Sequence, residues 1–382
     1  MNEELEEKTG RLVELLEREN IGAVLLNSQH NFAWLTGGGS NGIDASRENG
    51  AASLLVRRDG RRFVVANNIE MPRMILEEAS AEILGAFFEP VEYSWQDEKT
   101  NGSFVIEKAK QLLETGAVIA TDIPIDPAAP VIENKIAACR YRLTSHEIDR
   151  YRLLGRDAGT AVRRVIGKLD QGETELEIAE KMRHELALGG MASVVTLVAA
   201  DERISRFRHP LPTANRWKKT LLLVTCAKRG GLIVSLSRMV RAGSVPDELK
   251  IKTEAAAYIN ACLLDATKPG TTGAELYAVA AKAYSDKGFA DEINRHHQGG
   301  AAGYKTREWV AHPRSAEVVQ PGQAFAWNPT ITGTKIEETY ITAVDGAEGA
   351  DGVEVITASP DFPQIASTVQ GREYFSPGIL SL

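Results

Sequence analysis

Side chains that can transfer protons or bind metals stand at several places in the second half of the sequence. His209 lies in the polar loop RFRHPLPT, and a histidine can both accept and return a proton near neutral pH. A lone histidine in a loop is more often simply solvated. His296 and His297 form an adjacent pair, which is a cue for metal binding, but adjacent residues on a strand point to opposite faces. We therefore expect at most one of the pair to reach a functional site.

Charged residues that could bind or orient a substrate follow the histidine pair. Arg307 presents a planar guanidinium fork that suits a carboxylate, although it could instead be a surface cation that pairs with Glu308. Glu337 could accept or orient a proton, or it could pair with Lys335, two residues earlier, on an exposed strand face. Cys226 lies in an apolar segment and is expected to be an unreactive core residue.

These side chains must be positioned by the elements around them, and the second half of the chain contains an internal repeat. The segment QGETELEIA matches PGTTGAELY, and each copy reads as a helix, a Gly-Thr turn and a second helix that ends at glycine. The residues in register are Gly172 and Gly270, Thr174 and Thr272, Glu177 and Glu275, and Gly190 and Gly288. Such a repeat predicts an α+β domain with pseudo-twofold symmetry, a curved antiparallel sheet and a ligand pocket between its halves.

The first part of the chain predicts a separate α/β domain. Four leucines share one face of an N-terminal helix, and residues 21–26 read as a buried strand. Asp59 and Gly60 separate two apolar runs, which is a strong hairpin signal. A helix near 103–115 precedes another buried strand, GAVIATD. Helices that alternate with strands over this length are typical of a compact α/β domain.

The boundary between the two domains is predicted from a break in this pattern. Three prolines follow the last strand of the first domain, and Thr144 with Glu147 then forms a capping box for a long helix. We therefore assign residues 1–138 to the N-terminal domain and residues 139–382 to the second domain.

Composition and charge exclude several classes of partner. The chain has 44 Lys and Arg against 52 Asp and Glu, a net charge of -8, so no overall positive field attracts nucleic acid or anionic membrane. The three cysteines form no CxxC, which favours reduced thiols in a cytosol. The acidic N-terminus does not read as a signal peptide. We expect a cytoplasmic protein with no nucleic-acid or membrane partner.

The motifs together resemble the creatinase, prolidase and aminopeptidase P family of pita-bread proteins. The resemblance covers nearly the whole chain and rests on six segments in this order: SHEIDRYRLLGRDAG, QGETELEIA, RFRHPLPT, HHQGGAAGYKTRE, PGQAFAWNP and GTKIEETYI. It implies an α/β N-terminal domain, a pita-bread second domain and a homodimer.

The metal ligands of that family are mostly missing here. Its metallopeptidases hold two metal ions with two aspartates, one histidine and two glutamates. The resemblance implies that those positions are Val224, Ser235, Gly300, Asn328 and Glu337. Four of the five ligand side chains are therefore missing, and Glu337 is the one that is present. Valine and glycine side chains offer no donor at all. We therefore predict no metal and no other cofactor.

The segment around the histidine pair resembles creatinase, the metal-free member of the family. The pattern is His296, Gly299, Ala302-Gly303 and Arg307-Glu308. The resemblance implies that Arg307 binds the substrate carboxylate, with help from Arg47 of a second copy of the chain. Glu308, His296 and His297 are expected to complete the substrate site, with His209 and Glu337 as the catalytic residues. The acid that would recognise an amidino group is missing beside Arg238, so creatine itself is not the expected substrate.

Three functions remain open on the sequence alone. The first is a metal-independent hydrolase of a carbon-nitrogen bond in a small molecule or short peptide that carries a carboxylate. The second is a non-catalytic relative that keeps the fold to bind a peptide or an amino-acid derivative. The third is an Xaa-Pro aminopeptidase or dipeptidase with an atypical metal site. His209, Arg307 and Glu337 offer replacement chemistry for the lost ligands, which favours the first.

Overall fold

The computed structural model describes residues 2–78, 80–344 and 352–382, which form two compact units. The units are Met1–Arg140 and Tyr141–Leu382, so the boundary lies two residues after the predicted one. The helix Glu133–Arg140 runs past residue 138, because the buried guanidinium of Arg140 is bonded within the first unit, 3.0 Å from a carboxylate oxygen of Glu133.

The first unit is an α/β domain, as predicted. Its helices are Asn2–Arg18 (α1), Gln29–Leu35 (α2), Met71–Leu76 (α3), Ala81–Phe87 (α4), Trp95–Thr100 (α5), Phe104–Lys110 (α6) and Glu133–Arg140 (α7), and its strands are Ala23–Ser28 (β1), Asn49–Arg57 (β2), Arg62–Asn67 (β3), Glu89–Tyr93 (β4) and Ile119–Thr121 (β5). The strands form one mixed sheet in the order β4-β3-β2-β1-β5. The predicted hairpin at Asp59-Gly60 joins β2 to β3, and Gly60 has a φ of 83°.

One helix of this unit is shorter than its sequence indicates. The apolar pattern predicts a helix over 103–115, whereas α6 ends at Lys110. The next amides, those of Leu112 and Leu113, donate to carbonyls three residues back. The chain therefore tightens into turns of the i to i+3 kind, which is a common way for a helix to end.

The second unit combines long helices with antiparallel sheets. Its helices are Ser145–Ile166 (α8), Glu175–Leu188 (α9), Arg203–Arg206 (α10), Asp247–Ala266 (α11) and Gly273–Asp286 (α12), with a 3-10 helix at Ala290–Arg295; its strands are Ala192–Ala200 (β6), Thr220–Arg229 (β7), Leu232–Arg241 (β8), Gly299–Ala302 (β9), Trp309–Val310 (β10), Ala324–Trp327 (β11), Thr330–Ile331 (β12), Thr334–Lys335 (β13), Glu338–Thr342 (β14), Val353–Val355 (β15), Gln364–Val369 (β16), Arg372–Pro377 (β17) and Ile379–Ser381 (β18). Within the described ranges, none of the helices is long and apolar enough to cross a membrane.

The internal repeat corresponds to two structurally matched turns. Thr174 caps α9 and Thr272 caps α12, each in a full capping box with the glutamate three residues later. The preceding glycines adopt left-handed conformations, with φ of 101° at Gly172 and 95° at Gly270. The amide of Gly172 donates to the carbonyl of Trp217 at 2.8 Å, and that of Gly270 donates to Val319 at 3.0 Å. The sequence repeat is therefore a repeat of local structure, including the strand-like segment that each turn contacts.

The matched caps allow a paired test of the repeat. We expect Thr174→Ala and Thr272→Ala each to lower the free energy of unfolding by about 1 kcal/mol, because each removes the side-chain oxygen that accepts the N3 amide. Urea denaturation of the two variants measures this, with Thr160→Ala on the exposed face of α8 as the control. If only one of the two substitutions lowered the free energy of unfolding, the two turns would not be equivalent.

Two sheets of the second unit meet along β8. One sheet has the order β18-β8-β7-β6 and the other the order β10-β9-β11-β14-β15. The amide of Ser237 on β8 donates to the carbonyl of Glu337 at 3.0 Å, and the amide of Ser235 donates to Oγ1 of Thr339 at 2.8 Å. These bonds hold Glu337, just before β14, and Thr339, on β14, next to β8. The predicted α+β architecture is confirmed, and its sheets are antiparallel except where β18 pairs with β8 in parallel.

Candidate functional site

A cleft of about 310 Å³ in the second unit takes its walls from both sheets. The residues that line it are Val195, Leu197, His209, Val224, Cys226, His297, Thr306, Arg307, Asn328, Lys335 and Glu337. The cleft therefore brings together, at the junction of the two halves, four residues that the sequence singled out at distant positions: His209, His297, Arg307 and Glu337. Lys335, which the sequence suggested only as a surface partner, also faces the cleft.

Glu337 lies at the bottom of the cleft between two cations. Oε1 of Glu337 accepts from Nη2 of Arg307 at 3.1 Å, and Oε2 lies 3.0 Å from Nζ of Lys335. Burial opposes ionisation of this carboxyl, but the charges of Lys335 and Arg307 outweigh it and lower the pKa of Glu337 to about 2. The pairing of Glu337 with Lys335 is real, but both residues are buried, with exposures of 3% and 5%. The alternative of a pair on an exposed strand face is therefore wrong.

Arg307 is held in place by several partners. Its Nη1 donates to the carbonyl of Thr306 at 2.6 Å and to Oγ of Ser235 at 3.3 Å, while Nη2 binds Glu337. Its side chain is only 12% exposed. The alternative of a surface cation does not hold, because the Arg307 side chain is largely buried and forms its ion pair with Glu337. Glu308 is not among the residues that line the cleft, and its role in substrate binding stays a prediction.

The three histidines lie close together, and two of them, His209 and His297, line the cleft. Nε2 of His209 lies 3.0 Å from Nε2 of His296, and the rings of His296 and His297 stack with centroids 4.4 Å apart. His297 lines the cleft and His296 does not, so the prediction that at most one of the adjacent pair reaches the site is confirmed, although not through strand alternation. The pair precedes β9, which begins at Gly299, so the alternation of a strand does not apply to it.

The histidines are uncharged near neutral pH. Partial burial, followed by the charge of Lys335, lowers the pKa of His296 to about 2. Partial burial and the charge of Arg307 lower the pKa of His297 to about 4. The pKa of His209 is also lowered, by partial burial and then by Lys335. A neutral imidazole has a free lone pair that can bind a metal, but the low pKa values of His296 and His297 make these two rings weak bases.

A buried carboxylate that the sequence analysis did not identify holds the loop that carries His209. Glu175, the first residue of α9, is fully buried and accepts from the amide of Ala200 at 2.8 Å and from the amide of Thr213 at 2.9 Å. It also forms an ion pair with Arg203. These partners lie at both ends of the His209 loop. The carboxylate therefore fixes the loop ends, whereas the sequence shows Glu175 only as one acidic residue among several in α9.

The role of Glu175 predicts a pH dependence. Burial opposes its ionisation, but the Arg203 pair and the backbone amides outweigh this and lower its pKa below the ordinary value of 4.5. A lowered pKa stabilises the fold above about pH 4.5, and this contribution is lost as the pH falls further. We expect Glu175→Gln to lower the free energy of unfolding by about 2 kcal/mol at pH 7, and the difference from wild type to shrink below pH 4.5.

Urea denaturation at several pH values measures this difference. Glu180→Gln, at an exposed position of the same helix, is the control. A Glu175→Gln variant as stable as wild type at pH 7 would contradict the anchoring role.

The residues present do not fit a two-ion metal centre. Val224 packs in an apolar cluster with Leu197, and the hydroxyl of Ser235 contacts Arg307 and the thiol of Cys226. At Gly300, a Cβ atom would lie 2.1 Å from the carbonyl oxygen of Trp309, so a larger residue requires the backbone to move. Glu337 already compensates two cations. The oxygen donors at these five described positions are the carboxylate of Glu337, the amide of Asn328 and the hydroxyl of Ser235. Only the first of them is charged, which is too little charge for two divalent ions.

Two further predicted residues have local partners. Arg47 belongs to the first unit, where Nε lies 3.2 Å from a carboxylate oxygen of Asp44. Its role in a carboxylate site across two copies stays a prediction. Cys226 is buried, and burial raises the pKa of its thiol. It lines the cleft as a protonated thiol, which agrees with an unreactive residue.

Comparison with known proteins gives the family context. A Xaa-Pro dipeptidase of Lactobacillus delbrueckii subsp. lactis is 28% identical over 222 residues, and one of Pyrococcus furiosus is 24% identical over 229 residues. These alignments cover 55% and 57% of this chain, and 60% and 65% of the two relatives, so the match spans less than two thirds of either relative.

Solved structures show the same fold over nearly the whole chain. The Xaa-Pro dipeptidase from Bacillus anthracis superposes with a TM-score of 0.74 at 18% identity, covering 99% of this chain and 100% of that one. The dipeptidase PepE from Mycobacterium ulcerans gives a TM-score of 0.76 at 15% identity, covering 99% and 98%. The sequence profile described as metallopeptidase family M24 matches residues 149–355, which is more than half of the chain. This protein therefore belongs to metallopeptidase family M24.

Proposed function

We propose that this protein is a hydrolase that cleaves a carbon-nitrogen bond in a small substrate with a free carboxylate, of the Xaa-Pro dipeptide type. The observation that carries this proposal is the charge balance of the cleft, where two buried cations, Arg307 and Lys335, share the single carboxylate of Glu337. The names of the curated relatives support the reaction class, and the cleft supports the chemistry of the substrate.

The charge balance favours an anionic substrate. Arg307 and Lys335 carry two positive charges and Glu337 carries one negative charge, so the group has a net charge of +1. These side chains have low solvent exposure, where charge interactions are strong. A substrate carboxylate would neutralise this charge. Arg307 offers a fork whose position is already fixed by Ser235 and Thr306, so little side-chain entropy is lost when an anion binds.

The size and lining of the cleft favour a dipeptide. About 310 Å³ lies at the lower end of the range for small-molecule sites. The wall formed by Val195, Leu197 and Val224 is apolar, so it suits the ring or side chain of a small peptide. Arg307, Lys335 and Glu337 line the same cleft, so one end of a ligand can be anchored by charge while another part packs against apolar side chains.

Proton transfer falls to His209 in this proposal. An uncharged imidazole at the cleft mouth can accept a proton from an attacking water and return it to the leaving nitrogen. Glu337 is a weak base, because its pKa of about 2 is far below neutral pH. We therefore assign Glu337 to holding Arg307 and Lys335 in position, rather than to the proton transfer that the sequence suggested for it.

We further propose that the reaction proceeds without the two-ion centre of the family. The poor fit of Val224, Gly300 and Asn328 to such a centre supports this. The electrostatic part of catalysis, stabilisation of the developing oxyanion, would then fall to cations such as Lys335. Membership of a creatinase-like metal-free branch, a homodimer and a cytoplasmic location stay predictions.

The test is hydrolysis of a panel of Xaa-Pro dipeptides by the whole chain, with the metal content measured in parallel. We expect release of the free amino acids from dipeptides but not from their methyl esters, and no dependence on two equivalents of metal per chain. Two equivalents of manganese, zinc or cobalt whose removal abolishes the activity would contradict the metal-independent reaction. Tight binding of the dipeptides without any turnover would instead support the non-catalytic alternative.

A further inference from the structure

The three histidines have the spacing of a metal site different from the five-position set of the family. One nitrogen from each of His209, His296 and His297 lies within 4.8 Å of the others. The Nε2 atoms of His209 and His296 are already 3.0 Å apart. Two imidazoles on a tetrahedral zinc ion, at about 2.0 to 2.1 Å each, have nitrogens about 3.3 Å apart. Two of the three donors therefore already stand near ligand spacing.

The exposure of the rings allows the third donor to approach. His209 and His297 are exposed, so their side chains can rotate without disturbing the core, while His296 is half-buried between them. The Nδ1 atom of His296 is buried and has no hydrogen-bond partner, so the free ring gives up no bond on that side when its Nε2 binds an ion. Three imidazoles without a carboxylate suit zinc, nickel or copper rather than magnesium or calcium.

We propose that His209, His296 and His297 bind a single transition-metal ion, and that the bound ion takes His209 out of proton transfer and so inhibits the protein. The inhibitory part rests on the proposed function, whereas the metal site does not. The ion would occupy the lone pair that His209 needs in order to accept a proton, so the same ring cannot serve both purposes.

The charges around the cluster indicate a reversible site rather than a permanent one. Lys335 and Arg307 repel an added cation, and Glu337 compensates only one of these two charges. The affinity should therefore be lower than that of a structural zinc site, and an anion on the open side of the metal should strengthen it. We therefore expect the ion to bind and dissociate as its free concentration changes, and not to be a permanently bound cofactor.

Zinc titration of the whole chain, without substrate, tests the site. We expect calorimetry with zinc chloride to show one ion per chain in wild type, and His297→Ala to weaken binding by about tenfold or more, since even loss of a group that only orients a ligand costs 10- to 100-fold. His184→Ala is the matched control, because His184 is an exposed histidine on α9. The visible spectrum of bound cobalt provides a second readout of histidine ligation.

Equal zinc affinity in wild type and His297→Ala, or no binding to wild type, would overturn the proposed site. With a hydrolysed dipeptide, zinc should inhibit wild type reversibly, and His297→Ala should need about tenfold more zinc for the same fractional inhibition. An increase in turnover with zinc would overturn the inhibitory role. A chain that binds zinc through the three histidines but hydrolyses no dipeptide would contradict the proposed function alone.

Discussion

Turnover of a cleaved dipeptide should fall by about a hundredfold or more when His209 is replaced by alanine. His209 is exposed, so its removal costs little packing, while its ring is the group at the cleft mouth that we assign to proton transfer. The loop that carries it is fixed at both ends by Glu175 and, next to His209, by the bond from Arg208 to Thr332 at 2.9 Å. The backbone should therefore keep its position in the variant, and the loss should be in kcat.

Steady-state kinetics of His209→Ala, measured with its thermal unfolding, separate this role from a structural one. His184→Ala serves again as the control for loss of an exposed histidine. Near-normal kcat in His209→Ala with an unchanged fold would contradict the assignment of proton transfer to His209.

Replacement of Arg307 by lysine should weaken binding of a carboxylate ligand by about tenfold to a hundredfold. Lysine keeps the positive charge that Glu337 needs but loses the planar fork, and hydrogen bonds to charged groups contribute about 1.5 to 3 kcal/mol each. The methyl ester of the same ligand should bind both proteins with similar affinity, because it carries no anion for the fork.

Calorimetry with the free acid and the ester, on wild type and Arg307→Lys, measures all four affinities. Arg156→Lys is the control, because Arg156 is an exposed arginine on α8. If the ester binds wild type as tightly as the acid does, or if Arg307→Lys binds the acid as tightly as wild type does, then carboxylate recognition has been assigned to the wrong residue.

Local features of the fold were predictable from the sequence because neighbouring residues determine them. The capping box at Thr144, the Gly-Thr turns at Thr174 and Thr272 and the hairpin at Asp59-Gly60 depend on residues within a few positions of one another. The end of α6 was missed, since the choice between a further helical turn and a tighter one depends on small differences in backbone bonding.

The types of residue in the site were also predictable, but their environments were not. The chemistry of His209, Arg307 and Glu337 follows from their side chains, and the loss of the five-position metal set can be read from Val224 and Gly300. Burial of Lys335 beside Glu337 could not be read in the same way. A lysine two residues from a glutamate is usually solvated on a strand surface. Here β13 packs against α11 and β8, and both side chains of the pair are buried.

The sequence alone thus determined the two-part α/β and α+β organisation, the repeat and the residues capable of chemistry, because these depend on local periodicity and side-chain type. The tertiary structure decided that His296 and His297 face His209, that Glu175 anchors the loop and that two cations share one carboxylate. Each of these depends on contacts between residues 25 to 87 positions apart or on the exclusion of water from a cleft, and neither can be read from the spacing of residues along the chain.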